Sequence, residues 1–144
     1  MSFENVNYRE AVVFILYKDG KILIEKRPKN DGTIENYIPN GSVEESDYGK
    51  EEDYKIVAMK REASEELNNL KITNYEYLAV YEVLEIKIRF YAYLVTGWDG
   101  KVPEYTIEPP GSGKKFADLE WIPLIDYKKI FTLPSALYFC KQIK

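Results

Sequence analysis

The chain has 144 residues, 45% of them hydrophobic, with a net charge of −4, one cysteine and no histidine. That size suits one globular domain, residues 1–144, able to bury most of its apolar surface. The acidic balance argues against broad binding to duplex nucleic acid, and the lack of histidine excludes Ser-His-Asp and Cys-His chemistry and His-ligated zinc.

Proton transfer must therefore fall to a carboxylate, lysine, tyrosine or metal-bound water. Cys140 is alone and cannot form an internal disulfide, which fits a reducing compartment. The longest early apolar run, residues 11–17, is too short to span a membrane and lacks the flanks of a signal peptide, so a cytoplasmic chain with no membrane partner is expected.

In chain order, Asp19-Gly20 lies between two β-rich runs, and both residues tolerate positive φ. Residues 10–17 and 21–26 are predicted to pair as an antiparallel hairpin. Both faces of the first strand are largely apolar, which requires helices on each side of the sheet. Residues 28–36 carry Pro28, Asn30, Asp31 and Gly32 and read as a loop, followed by a short segment into Asn40-Gly41. Residues 41–53 are polar and acidic and read as a second loop.

A helix follows, because Ile56, Met59, Ala63, Leu67 and Leu70 recur as one stripe at helical spacing. Asp53 is positioned to cap its start and Asn68-Asn69 to end it. Residues 72–84 and 85–96 are predicted strands rich in Tyr, Val, Ile and Phe. In the second, Ile86, Ile88, Phe90, Ala92 and Leu94 form the predicted core face. Lys87, Arg89, Tyr91 and Tyr93 face the other way, as cations and rings for a substrate or as an ordinary half-exposed strand face. Residues 97–100 read as a turn, 106–115 as a loop, 116–123 as a strand and 135–143 as a helix started by Pro134. Gly113-Lys114 is not a phosphate loop, since Glu108 and Lys115 stand where a glycine and a Ser or Thr are needed.

The chemistry concentrates on the predicted helix. Nine of the 24 acidic residues fall within positions 44–66. Glu62, Glu65 and Glu66 share one arc of the helix, beside the apolar stripe, where like charges oppose helix formation by about 0.2–0.5 kcal/mol per pair. A hard divalent cation would reverse that sign; a solvated acidic face is the bland alternative.

The segment from Asn40-Gly41 through Arg61-Glu62-Ala63-Ser64-Glu65-Glu66 resembles the box G-x5-E-x7-R-E-U-x-E-E-x-G-U of the Nudix hydrolase superfamily, where U is aliphatic. The hairpin before it and Trp121-Ile122-Pro123-Leu124 after it also resemble that family. Counting back from Arg61 puts the box's first glutamate on Asp53; counting forward from Gly41 puts it on Asp47. The two counts differ by six, so the intervening loop carries an insertion. Asn68 and Asn69 replace the last glycine and aliphatic residue of the box.

The resemblance implies an α/β fold, a Nudix-type α/β/α sandwich with a mixed central sheet. It also implies a Mg²⁺- or Mn²⁺-dependent hydrolase that cleaves a diphosphate linkage in a nucleoside di- or triphosphate or a related derivative. Glu62, Glu65 and Glu66 are the implied ligands, with the backbone of Gly41. Arg61 is implied to orient Glu65, and Glu65 to serve as base, with Glu108, Asp118 and Glu120 as later-loop alternatives. Arg89, Tyr91 and Tyr93 are the candidate substrate contacts. The competing expectation is a catalytically inactive Nudix-fold module that senses a nucleotide, motivated by the insertion and the altered first glutamate.

Overall fold

Strand β1 (Arg9–Lys18) is apolar on both faces, and the rest of the chain covers both. In the computed structural model, which describes residues 7–109 and 111–143, every residue from Ala11 to Leu16 is buried. Such a strand belongs in the middle of a sheet with helices on either side. It pairs in parallel with β6 (Ile88–Asp99) and antiparallel with β2 (Lys21–Pro28) and β4 (Asn40–Ser42).

The mixed eight-stranded sheet runs in the order β5-β6-β1-β2-β8-β7, with β3 (Ile34–Tyr37) attached to β2 and β4 to β1. Here β5 is Lys71–Val83, β7 is Tyr105–Ile107 and β8 is Lys115–Pro123. Alternate residues of β1 feed two cores. Val12, Phe14 and Leu16 pack with Met59, Ala63 and Leu67 at helix α1 (Tyr54–Glu66), while Val13 and Ile15 pack with Ala136, Phe139 and Cys140 of α3 (Pro134–Gln142). A short α2 (Tyr127–Ile130) precedes α3 on that second face. The predicted α/β/α sandwich is thus formed. Burial pushes the Cys140 thiol up to about 12, so it acts as an inert apolar side chain. Among the described residues no helix is long and apolar enough to cross a membrane.

The hairpin turn forms at Asp19 and Gly20, with φ of 54° and 77°. The expected loop at residues 28–36 is shorter than predicted, because Ile34–Tyr37 adds strand β3 along residues 25–28 of β2 and leaves the turn to the residues between. Gly97, Trp98 and Asp99 continue β6 rather than turning: Gly97 sits at a register shift where a Cβ would meet the Asn74 side chain, and Trp98 stacks on Trp121 at 6.0 Å. Ile86 falls in the β5–β6 turn, closed by Lys87 at φ 53°, and is 58% exposed rather than core. Strand β7 occupies the start of the expected loop at 106–115; Pro110 of that loop lies outside the described residues.

Candidate active site

Helix α1 starts where Asp53 accepts a hydrogen bond from the Lys55 backbone at 2.9 Å. It ends with Asn68 and Asn69 at φ of 55° and 66°, the left-handed conformation that Asn tolerates better than most residues. The stripe that buries Met59 and Ala63 turns Arg61 and Glu62 toward β4 and the loop after it, while Glu65 and Glu66 border a separate cavity of about 620 Å³ lined by residues 101–105 and Ile107.

Arg61 gathers that edge. Its Nε and Nη2 donate to the two carboxylate oxygens of Asp47 at 2.8 and 2.9 Å, a bidentate pair on a carboxylate that is 1% exposed. Nη2 also donates to the Ser42 carbonyl at 2.9 Å, and Nη1 to Glu62 at 3.1 Å and Glu65 at 3.2 Å. The hydrogen bond from Arg61 is the main cause holding Asp47 below the usual carboxylate range, and its counterpart from Asp47 raises Arg61. Asp47 also accepts from the Glu44 backbone at 2.8 Å across a one-turn 3₁₀ segment, Glu45–Asp47. The partner of Arg61 is therefore Asp47, the forward count from Gly41. Asp53, the backward count from Arg61, serves instead as the helix cap.

The three glutamates differ in environment. Glu62 is 7% exposed and packs on Gly41 so closely that a Cβ there would overlap its carboxyl group. Burial pushes Glu62 up to about 7 against the pull of Arg61. Glu66 is half-buried and pushed up to about 8, first by burial and then by Glu25, Glu62 and Glu108, with Arg27 opposing. Glu65 is exposed and shared with Arg61.

Behind Glu66, Glu25 of β2 is fully buried. Arg27 Nε donates to it at 2.8 Å, Thr106 Oγ1 donates to its other oxygen at 2.8 Å, and the Arg27 guanidinium lies 4.2 Å over the Tyr37 ring.

A divalent cation fits this donor set, which is all oxygen and whose carboxylates repel one another, Glu65 acting on Glu62 and Glu62 on Glu66. Among the described residues no three acidic groups already converge as a preformed cage. Mg²⁺ does not need one, since it is commonly held by one or two carboxylates together with water and substrate phosphates.

A cavity of about 570 Å³ opens beside this edge, a size that holds a small organic ligand. Asn40 and Ser42, which flank Gly41, lie in its wall, with Arg27, Tyr37, Phe90 and Phe139. Sequence reasoning missed Arg27 and Glu25. The alternation of β2 was the available signal, since it directs Ile22 and Ile24 to one face and Leu23 and Glu25 to the other.

Arg89, Tyr91 and Tyr93 do not line the cavity. Arg89 is bonded to Glu82 at 2.7 Å, Tyr91 donates to Glu10 at 2.7 Å, and Tyr93 is 2% exposed because α1 covers that face of β6. Of the later carboxylates, Asp118 pairs with Lys115 and Glu120 with Lys26, leaving Glu108 as the one whose charge acts on Glu66.

The NUDIX domain family model matches residues 7–139. An 8-oxo-dGTP diphosphatase from Buchnera aphidicola is 29% identical over 131 residues, covering 90% of this chain and 88% of that protein. The solution structure of the ORF135 protein of E. coli superposes with a TM-score of 0.72 at 25% identity, covering 94% of this chain and 87% of that one. The MutT NUDIX hydrolase of Burkholderia pseudomallei gives a TM-score of 0.72 at 21% identity over 96% and 99%. With the helix, the glycine turn and the sheet all in place, the chain belongs to the NUDIX domain family and is a Nudix pyrophosphohydrolase.

Proposed function

We propose that this enzyme hydrolyses the diphosphate linkage of a nucleoside triphosphate or related nucleotide derivative, with its nucleoside in the cavity beside β4. The observation that carries the reading is at Gly41. Its neighbours Asn40 and Ser42 line a nucleoside-sized space, while its own backbone is pressed against Glu62. A ligand filling that space would carry its phosphates to the edge of the carboxylate cluster.

Glu62, Glu65 and Glu66, with the Gly41 carbonyl, would hold Mg²⁺ or Mn²⁺. Bound there, the cation supplies charge neutralisation on the phosphate oxygens and makes a coordinated water more acidic. Arg61 keeps Glu62 and Glu65 in place through its anchor on Asp47. Glu65, the exposed member, accepts the proton of the attacking water as its oxygen bonds to phosphorus and the bridging P–O bond breaks. Arg27, braced by the buried Glu25, presents a cation at the cavity wall for a phosphate.

The relative's activity makes 8-oxo-dGTP the first compound to test, alongside ordinary and sugar-linked nucleotides, each with Mg²⁺ and Mn²⁺ and scored for released phosphate, pyrophosphate or nucleoside monophosphate. Metal-dependent product release that is nearly abolished in Glu66→Gln is the expected result. An unchanged rate in that variant would sink the assignment of the site.

A further inference from the structure

Residues 48–53 join the anchor of Arg61 to helix α1, and one carboxylate on β1 ties both ends of that segment together. Tyr48 is its first residue and Tyr54 the residue just after it. Their rings stack at 4.4 Å with 22° between planes. The Tyr54 hydroxyl donates to Glu10 Oε1 at 2.8 Å and lies 3.0 Å from Oε2, and the Tyr48 hydroxyl donates to Oε1 at 3.3 Å. The Tyr91 hydroxyl donates to Oε2 at 2.7 Å, and Arg89 stands 3.9 Å away. The Glu10 carbonyl accepts from Val43 N–H at 2.9 Å, one residue past the Ser42 carbonyl that receives Arg61.

Charge-assisted hydrogen bonds are about twice as strong as neutral ones, so the short bonds from Tyr54 and Tyr91 make a firm joint, to which Tyr48 is tied by a longer hydroxyl contact and by its ring stacked on Tyr54. What the joint fixes is Asp47. That residue sits directly before Tyr48 and holds Arg61 by two hydrogen bonds, and Arg61 in turn reaches Glu62 and Glu65.

We propose that Glu10, through Tyr48 and Tyr54, is a positioning residue for the metal-binding carboxylates: it closes the segment before α1 and so holds the Asp47–Arg61 pair against Glu62 and Glu65. Glu10 touches neither substrate nor cation. The inference rests on the metal-site reading above, and it explains how a longer loop is accommodated without loosening the ligands.

The test uses the full chain without substrate. Mn²⁺ affinity is measured by electron paramagnetic resonance, and solvent exchange of the Arg61 Nε–H by NMR, for the parent, Glu10→Gln and the double variant Tyr48→Phe/Tyr54→Phe. The double variant keeps both rings and loses only their hydroxyls, so it decides the matter if Glu10→Gln does not fold. Tyr77→Phe, on exposed β5, is the control. Loss of a residue that orients metal ligands typically weakens metal affinity by about 10–100-fold, which is the drop expected here, with faster exchange at Arg61. With a hydrolysed substrate in hand, kcat should fall while KM stays near the parent value. Variants with the parent's Mn²⁺ affinity and Arg61 protection would overturn the role of Glu10 alone. A parent that binds no Mn²⁺ would overturn the metal site and this inference together.

Discussion

Gly41 is the residue whose replacement should be most informative, because it lacks the one atom that Glu62 would collide with. Gly41→Ala is expected to leave the fold intact while displacing Glu62, and a displacement near 1 Å can cost about 100-fold in rate. Steady-state kinetics with a melting control would check it. The two aspartates that compete for the first acidic position of the box separate just as cleanly. Asp47→Asn removes the charge that anchors Arg61 and should lower kcat by about 10–100-fold. Asp53→Asn keeps a good helix cap and should leave both rate and stability near the parent, whereas Asp53→Ala should cost about 1 kcal/mol of stability. The reverse ranking in activity would give the first acidic position to Asp53. The helical triad is legible in the sequence because four residues span one turn, so spacing alone places Glu62, Glu65 and Glu66 together. The Asp47–Arg61 pair is not, because it crosses a loop of irregular length that no periodicity describes.

At the scale of elements, strand β1 and its two cores carry the molecule. Phe14 is fully buried between β1 and α1, and Phe14→Ala should destabilise the protein by about 3–5 kcal/mol, measurable by urea unfolding. The central hairpin, α1, β8 and α3 are all readable from pattern, since each combines a strong apolar period with clear turn or cap residues. Strands β3, β4 and β7 are not. Each is only three or four residues long and takes its strand character from the neighbour it pairs with. The face of β6 shows the same limit: Tyr91 and Tyr93 look like half-exposed positions until α1 is laid across them. Because the cavity wall joins residues of all six strands from β1 to β6 and of α3, it becomes visible only once the topology is known.

For the whole molecule, the acidic cluster sets stability against function, and pH exposes the conflict. Burial and mutual repulsion raise Glu62 to about 7 and Glu66 to about 8 in the folded protein, from 4.5 for the free groups. The native state then binds more protons than the unfolded chain between those values, so the contribution of these two groups is fully present near pH 4.5 and is lost as pH rises through 7 and 8. Asp47 works in the opposite sense. Its lowered value gives stability that is present above the ordinary aspartate range and disappears only on strong acidification. The metal-free protein should therefore melt at a lower temperature at pH 9 than at pH 6. Added Mg²⁺ should raise Tm, and raise it more at pH 9, because binding to the native state alone stabilises by mass action and protons no longer compete for the carboxylates. Glu66→Gln should melt higher than the parent at pH 9 without metal, lose much of the response to Mg²⁺, and be nearly inactive. Calorimetry of the two proteins at both pH values, with and without Mg²⁺, reads all three effects. A parent whose Tm is flat across that range and indifferent to Mg²⁺ would mean that the cluster is an ordinary solvated face.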